Sequence, residues 1–297
     1  MAIRHVREYK KVNQIASSTT LSVQPSAIGD REQARRRALT SLITQGYAIL
    51  RVERNTQALL WATLDSIDEV SAEQRVEFSF PDRTDGFLPI GGEHAKYTDY
   101  IDLCDRFCFW NKYRSTHENI DFAQSDFYQN IAECEDVLST LASDLISGIW
   151  SFFQHPEHIK IRDHSYVQLN VYGNSQQEND REYLQDRHED GHLITLIKPT
   201  RDGLVIFPND VKTKVRLADD EIIVITGSLL THLSDGQIPP MYHAVENPMM
   251  QVSRKSLVYF AIPDLTKSYT SLLAKSAVNL ASLADESHRA FGNTSLV

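Results

Sequence analysis

The sequence has no long hydrophobic run. The longest apolar stretches among its 297 residues, such as the one between Glu221 and Thr231, are about ten residues long, whereas a helix that crosses a bilayer needs roughly 20. Glycine and proline are also modest, at 12 and 10 residues, so the composition shows no collagenous or low-complexity bias. We therefore expect a globular protein without a membrane partner.

Cysteine is scarce as well. The three cysteines (Cys104, Cys108 and Cys134) contain no C-x-x-C pair and are too few for a disulfide scaffold. We expect them to be buried thiols in a reducing, intracellular setting, and we expect a cytoplasmic protein.

Positive charge is in deficit overall, because 30 Lys and Arg face 40 Asp and Glu. This acidity disfavours a nucleic-acid partner, since phosphate binding needs a cationic surface. Residues 1–54 are the exception, with ten basic residues against four acidic ones. We interpret this basic start as a solvated face, and an organelle-targeting signal is the alternative.

Helical periodicity occupies most of the first half. The pattern predicts helices over 30–45, 55–74 and 125–153, with a strand over 47–53. The stretch 80–94 is dense in Pro, Asp and Gly and is expected to be irregular.

From residue 165 onward the sequence changes to short β-rich runs separated by turn signals. These runs cover 166–173, 193–198, 203–208, 214–218, 221–227 and 257–263, and the tail 268–290 returns to helical periodicity. We predict one domain over 1–297 that is mainly β with flanking helices. It would hold a double-stranded β-helix (jelly-roll) core at 161–265, between a mostly helical region (1–160) and a C-terminal helical tail (266–297).

A metal-ligand pattern lies within the β-rich half. His188 and Asp190 are two residues apart, so on a strand their side chains share a face while Glu189 points away. His243 follows a turn-rich segment that returns the chain to the sheet. Two His and one carboxylate leave three metal positions open, which is the arrangement of non-haem Fe(II) oxygenases.

Arg254 and Ser256 show the same two-residue spacing further along the chain. Arg offers a two-pronged donor that matches a carboxylate, and Ser adds one more donor. The pair predicts a binding site for an anionic co-substrate beside the metal.

Together these residues resemble the iron- and 2-oxoglutarate-dependent dioxygenase superfamily, in its isopenicillin N synthase-like branch. Asn170 and Tyr172 resemble the Asn-x-Tyr strand of that branch, and further similar segments are 85–94, 202–204, 225–227 and 233–236. Two positions depart from the branch pattern, since Ala244 follows the second histidine where Arg is usual and Ser228 stands where Asp is common.

The resemblance implies an oxidoreductase in which His188, Asp190 and His243 hold Fe(II). Arg254 and Ser256, with Tyr172 and Asn170 in support, would bind 2-oxoglutarate, which is consumed together with O2. The expected reaction oxidises a C–H bond of a small molecule by hydroxylation, desaturation or oxidative cyclisation, with release of succinate and CO2. An amino-acid-derived or other natural-product substrate and a monomer or weak homodimer are expected.

The substrate contacts are expected in the segment 107–114, where the branch often contributes them: Trp110, Asn111, Tyr113 and Arg114. The remaining histidines considered (His155, His158, His192 and His232) lack the carboxylate partner and are expected on the surface or in packing.

Three alternatives remain open from the sequence. An iron enzyme of the same fold could use Arg254 for its substrate's own carboxylate, or run on ascorbate. A non-catalytic module could keep the jelly roll and its metal. Two His and a carboxylate could also bind Zn²⁺ in a hydrolase, which leaves Arg254 and Ser256 without a role.

Overall fold

The computed structural model describes residues 28–91, 93–95, 98, 100–173, 181–248 and 253–296. Half of the basic start, residues 1–27, therefore lies outside the described residues. Within the described part of the chain, no helix is long and apolar enough to cross a membrane.

Helices dominate the first half, as predicted. The α-helices of the described chain are α1 (Ile28–Gln45), α2 (Arg54–Ser66), α3 (Ala72–Glu77), α4 (Arg114–His117), α5 (Asp126–Phe152), α6 (Ser228–Leu233) and α7 (Leu280–Ala290), of which the first five lie in this half or end at its boundary. The helix predicted over 55–74 is divided, because Ser71 and Gln74 form a capping box that starts α3 as a separate helix.

The longest helix, α5, begins where the sequence predicts it. The Ser125 hydroxyl accepts a hydrogen bond from the backbone N–H of Tyr128, which satisfies a donor that the first turn leaves free. Ile131, Leu138 and Leu145 recur at helical spacing and are buried. Through this face α5 packs against strands of the larger sheet and against α2.

The described strands, numbered along the chain, are β1 (Tyr47–Arg51), β2 (Ser79–Phe80), β3 (Asp85–Leu88), β4 (Asp105–Trp110), β5 (Tyr166–Tyr172), β6 (Tyr183–His188), β7 (Ile194–Pro199), β8 (Leu204–Ile206), β9 (Thr213–Lys214), β10 (Glu221–Thr226), β11 (His243–Glu246), β12 (Arg254–Ala261), β13 (Tyr269–Thr270) and β14 (Ala277–Val278). Eight of them form a major sheet in the order β1-β10-β7-β12-β5-β4-β3-β2. A minor sheet has the order β6-β11-β8-β9.

The two sheets face each other and pair their strands antiparallel throughout. Ile197 and Val258 of the major sheet pack in one cluster with Leu204 and Ile206 of the minor sheet. The predicted jelly-roll core with flanking helices is confirmed.

Three local predictions differ from the structure. The stretch 80–94 is not wholly irregular, since it contains β3, whose Phe87 packs against Phe107 with ring centroids 4.6 Å apart. Strand β6 was not predicted, because it is polar and belongs to the edge of the minor sheet. The tail 268–290 first forms the β13–β14 hairpin and becomes helical only at Leu280.

Candidate metal centre

The three predicted metal ligands converge at one end of the minor sheet. His188 is the last residue of β6 and His243 is the first residue of β11, and the two are directly paired across the ladder. Asp190 lies two residues beyond the end of β6, in a loop rather than on a strand as expected. The convergence is therefore made by strand pairing and a loop, not by alternation alone.

Their donor atoms surround one point. The Oδ1 atom of Asp190 lies 3.6 Å from Nε2 of His188 and 3.7 Å from Nε2 of His243. Ligand atoms about 2.1 Å from a metal and at right angles would be ~3 Å apart. Among the described residues, these three are the group of His, Cys, Asp and Glu side chains placed to hold a metal ion.

Hydrogen bonds orient each ligand toward that point. Nδ1 of His188 donates to the backbone oxygen of Asp186 at 2.7 Å, and Nδ1 of His243 makes a longer bond of 3.4 Å to that of Met241. Both imidazoles therefore keep the Nε2 lone pair for a metal. The Thr195 hydroxyl donates to Oδ2 of Asp190, which leaves Oδ1 free.

The protonation states suit metal binding. Burial lowers the pKa of His243 to about 4, so its imidazole is neutral. Burial alone would raise the pKa of Asp190, but His243, His188 and the Thr195 hydroxyl outweigh it and hold this pKa below its ordinary value. The site thus offers a neutral imidazole and a carboxylate at neutral pH.

Gly227 explains how the loop that carries Asp190 is held. A Cβ atom at this position would lie 2.3 Å from the backbone oxygen of His192 and 2.7 Å from that of Asp190. The next residue, Ser228, donates its backbone N–H to the same Asp190 oxygen at 2.8 Å. Only a residue without a side chain allows this approach.

A cavity extends from the metal ligands along strands β5 and β12. The two strands pair in register, and alternate residues face the cavity as four cross-strand pairs. In order, the pairs are Arg254 with Tyr172, Ser256 with Asn170, Val258 with Gln168, and Phe260 with Tyr166. The four predicted co-substrate residues are thus brought together in the first two pairs.

Arg254 is a buried cation for which the described part of the chain provides no hydrogen-bond partner of good geometry. Its residue is 4% exposed, and Nε, Nη1 and Nη2 all lack a hydrogen-bond partner among the described residues. The guanidinium carbon lies 5.1 Å from the centroid of the Tyr172 ring. Burial lowers the pKa of Arg254, yet a guanidinium stays charged. An unpaired buried charge is costly, so this end of the cavity is built for an anion.

The predicted substrate contacts lie elsewhere. Trp110 is buried, donates Nε1–H to the backbone oxygen of Thr84 and stacks on Tyr166. Asn111 bonds Asp163 on the surface, and Arg114 is half-exposed near Asp136. Tyr113 packs against the Trp110 ring. None of the four predicted residues lines the cavity. Their role in substrate binding stays a prediction, and the lining of the cavity gives no support to it.

Several lining residues were not assigned from the sequence. His192, expected on the surface or in packing, is buried against Phe260 and also lines the cavity. Further lining residues include Glu93, Gln168, Gln185, His288, Phe291 and Asn293. Continuing the alternation from Asn170 and Ser256 along the strands would have identified Gln168, Tyr166, Val258 and Phe260, but no pattern marks His288.

No protein-family model and no curated protein matches the sequence. Solved structures do match over most of the chain. A full-length Neurospora crassa protein, solved in complex with alpha-ketoglutarate and thymine, is 16% identical at a TM-score of 0.69, covering 89% of this chain and 93% of that one. A Caulobacter crescentus protein named as a 2OG-Fe(II) oxygenase family member is 17% identical at a TM-score of 0.68, covering 88% and 95%.

A rice dioxygenase for auxin oxidation is 14% identical, at a TM-score of 0.63 over 80% of both chains. At these identities the similarity concerns the fold, and it confirms at that level the resemblance seen in the sequence. The chain has the double-stranded β-helix fold of the iron- and 2-oxoglutarate-dependent oxygenases.

Proposed function

We propose that the protein is an Fe(II)- and 2-oxoglutarate-dependent oxygenase that acts on a small molecule. One observation carries the proposal. The three convergent metal ligands and the unpartnered guanidinium of Arg254 face the same buried cavity. A metal site alone suits several chemistries. A metal site beside a buried cation that lacks a partner among the described residues suits a co-substrate that binds the metal at one end and places a carboxylate on Arg254 at the other.

The residues present fit both groups. His188, His243 and Asp190 provide the two-His, one-carboxylate set that leaves open positions on Fe(II). Arg254 matches a carboxylate with a planar pair of donors, and Ser256 faces the cavity from the neighbouring pair on the same strand. When bound, iron would use O2 to oxidise both 2-oxoglutarate, which is released as succinate and CO2, and a C–H bond of the substrate.

The chain's own residues place and enclose these groups. Tyr172 holds its ring against the Arg254 guanidinium and donates its hydroxyl to Oε1 of Gln185 at 3.3 Å. Gln185 in turn donates to Asp102 at 2.9 Å. These two hydrogen bonds hold the Tyr172 side chain in place. The Tyr172 ring in turn holds the Arg254 guanidinium, which therefore does not need to reorganise when an anion binds. The centroid of the Phe291 ring lies 5.5 Å from that of the His188 ring, so an apolar ring covers one side of this ligand.

A small-molecule substrate agrees with the structural neighbours. The Neurospora crassa structure contains thymine and the rice protein is named for auxin oxidation. Most of the side chains that line the cavity of this chain are buried, which suits a small ligand enclosed by the protein. Hydroxylation, desaturation and oxidative cyclisation all belong to the proposed chemistry, because each can follow the removal of a hydrogen atom from the same substrate carbon.

The test is an anaerobic titration of the Fe(II)-loaded protein with 2-oxoglutarate. Chelation gives a metal-to-ligand charge-transfer band in the visible spectrum, and Asp190→Ala should show none. The control is Glu189→Gln, because Glu189 is adjacent and buried but does not belong to the metal set.

The rival functions give other results. An iron enzyme that does not use 2-oxoglutarate would bind Fe(II) and give no band. A zinc hydrolase would retain Zn²⁺ in preference to Fe(II) and show no oxygen-dependent reaction. A purified, iron-loaded protein that forms no band at saturating 2-oxoglutarate contradicts the proposal.

A further inference from the structure

The cavity has a second end, beyond the metal ligands and away from Arg254. We call it the aromatic end, and its described lining residues are Glu93, Tyr166, His192, Phe260, His288, Phe291 and Asn293. The Phe260–Tyr166 pair lies six residues along each strand from the Arg254–Tyr172 pair, which at ~3.4 Å per residue is about 20 Å. A co-substrate held by Arg254 does not fill this end.

The candidate metal ligands lie close to the aromatic end. Asp190 accepts the hydroxyl of Thr195, and Thr195 is paired with Phe260 across the β7–β12 ladder. Phe291 packs against the His188 ring from the same side. A molecule in the aromatic end therefore lies beside the metal ligands, where the carbon to be oxidised has to be.

Formal charge at this end is already neutralised. Glu93 forms a 2.7 Å ion pair with Arg106, which is itself buried. Asn293 completes the cluster by donating to Glu93 at 2.7 Å and accepting from Arg106 at 3.2 Å. Among the described lining residues, Arg254 is the one Lys or Arg, and it stands at the opposite end. A charged substrate would find no counter-charge here.

His288 carries a hydrogen-bonding atom that nothing in the described chain uses. Its Nδ1 bonds the backbone oxygen of Thr294 at 2.6 Å, which requires the proton on Nδ1 and leaves Nε2 as an acceptor. Nε2 has no partner among the described residues, although the residue is only 4% exposed. Burial lowers the pKa of His288, which keeps the ring neutral.

The position of His288 is fixed by close packing of its helix. Gly191, next to the ligand Asp190, lies against Ser287 of α7, and a Cβ atom at Gly191 would be 2.1 Å from the Ser287 Oγ. The His288 ring also makes an edge contact with Tyr166 at 6.5 Å. Helix α7 therefore cannot move away from the metal loop without losing both contacts.

We propose that the aromatic end binds an uncharged ring compound that carries an N–H or O–H group, and that Nε2 of His288 accepts a hydrogen bond from that group. The rings of Phe260, Phe291 and Tyr166 pack against the flat faces of such a compound. The inference rests on the proposed function and names its substrate class. It replaces the expected amino-acid-like substrate, whose charges have no partners here.

The experiment measures binding without turnover. Full-length protein loaded with Mn(II) and 2-oxoglutarate is titrated, by ligand-observed NMR, with matched trios built on three ring sizes. Each trio contains a lactam with a free N–H, its N-methyl analogue and the corresponding ring carboxylate. 2-Pyridone, N-methyl-2-pyridone and benzoate are the smallest trio.

The proteins compared are the wild type, His288→Phe, His288→Gln and, as a matched histidine replacement, His232→Phe, since His232 is exposed on α6. An unmet buried acceptor costs enough to favour the N–H lactam over its N-methyl analogue by about tenfold. This preference should vanish in His288→Phe, return in part in His288→Gln and persist in His232→Phe.

Three results would overturn the inference. The first is that carboxylates bind the wild type best. The second is that the N-methyl analogues bind it as well as the lactams do, and the third is that no lactam of any ring size binds. A loss in His288→Phe that is equal for lactam and N-methyl analogue would show a structural effect and also refute the hydrogen bond.

Failure of the inference is distinguishable from failure of the proposed function. The Fe(II) charge-transfer band is recorded on the same preparations. A normal band with no preference for donors refutes only the substrate class. A missing band refutes the proposed function, whatever binds at the aromatic end.

Discussion

The two ends of the cavity differ in both charge and construction. At one end a single cross-strand pair, Arg254 with Tyr172, presents a buried cation that no described residue pairs with an opposite charge. At the other end the Glu93–Arg106 charges cancel and aromatic rings surround two imidazoles, His192 and His288. The metal ligands lie between them.

This difference indicates that the two ends take ligands of different kinds. An unpaired buried guanidinium is stabilised by an anion, whereas a neutralised polar cluster beside aromatic rings favours an uncharged molecule. The ends should therefore respond separately to substitution, and the following predictions test that separation, from the largest effect to the smallest.

The largest effect is expected from Asp190→Ala. This substitution removes a candidate metal ligand that lies between the two ends of the cavity. Loss of a partner that merely orients a ligand costs roughly 10- to 100-fold in metal affinity, so loss of the ligand itself should cost more than that and leave no detectable succinate. Metal content by mass spectrometry and 2-oxoglutarate consumption measure this. Retained turnover would mean that the metal lies elsewhere.

Arg254→Met should affect one end only. The lost charge-assisted hydrogen bonds are worth roughly 10- to 150-fold in 2-oxoglutarate affinity, while affinity for ligands of the aromatic end should not change. Titration of the charge-transfer band gives the first value and ligand-observed NMR the second. Arg216→Met is the control, because the Arg216 side chain is 81% exposed. Equal loss at both ends would break the separation.

Thr195→Val should weaken the metal site by roughly 10- to 100-fold, because it removes the hydroxyl that orients Asp190. Thr195→Ser keeps the hydroxyl and should bind metal as the wild type does. Mn(II) titration followed by electron paramagnetic resonance measures both. Identical affinities for the Val and Ser variants would show that the hydrogen bond has no role in binding.

The smallest effect is expected from Gly191→Ala. The added methyl group meets Ser287, and such overpacking costs about 1–3 kcal/mol in the free energy of unfolding, which a thermal melt shows as a Tm lower by several degrees. Because α7 carries His288, ligands of the aromatic end should bind more weakly while the 2-oxoglutarate band is retained. A weakened band with unchanged ligand binding would reverse the assignment of the two ends.

The end of the cavity that carries Arg254 was predictable from the sequence, because its residues are placed by the alternation of side chains along two strands. Arg254 and Ser256 lie on one strand, Asn170 and Tyr172 lie on its neighbour, and a period of two places each pair on one face. The three candidate metal ligands were predicted through spacing and a family resemblance, and the structure brings them together. Their geometry was less predictable, since Asp190 lies in a loop whose position depends on contacts with Gly227.

The aromatic end was not predictable, because its residues meet only through long-range packing. His288 follows His243 by 45 positions and comes from a helix that carries no recognisable motif. The prediction placed substrate contacts at Trp110 to Arg114, but β4 directs Trp110 toward Thr84 and away from the cavity. Only the tertiary fold decides which side of a flanking strand or helix reaches the interior.

The attachment of α7 has a consequence for how such a protein diversifies. The strands that carry the candidate anion site, β5 and β12, are central in the major sheet, where a change in one disturbs its neighbours, but α7 lies outside both sheets. Under the proposed function, mutations near its inner face can alter which compound is accepted while the metal ligands and Arg254 are left unchanged. Engineering of selectivity should therefore begin with a library at position 288 of α7 and at positions 291 and 293, which follow the helix.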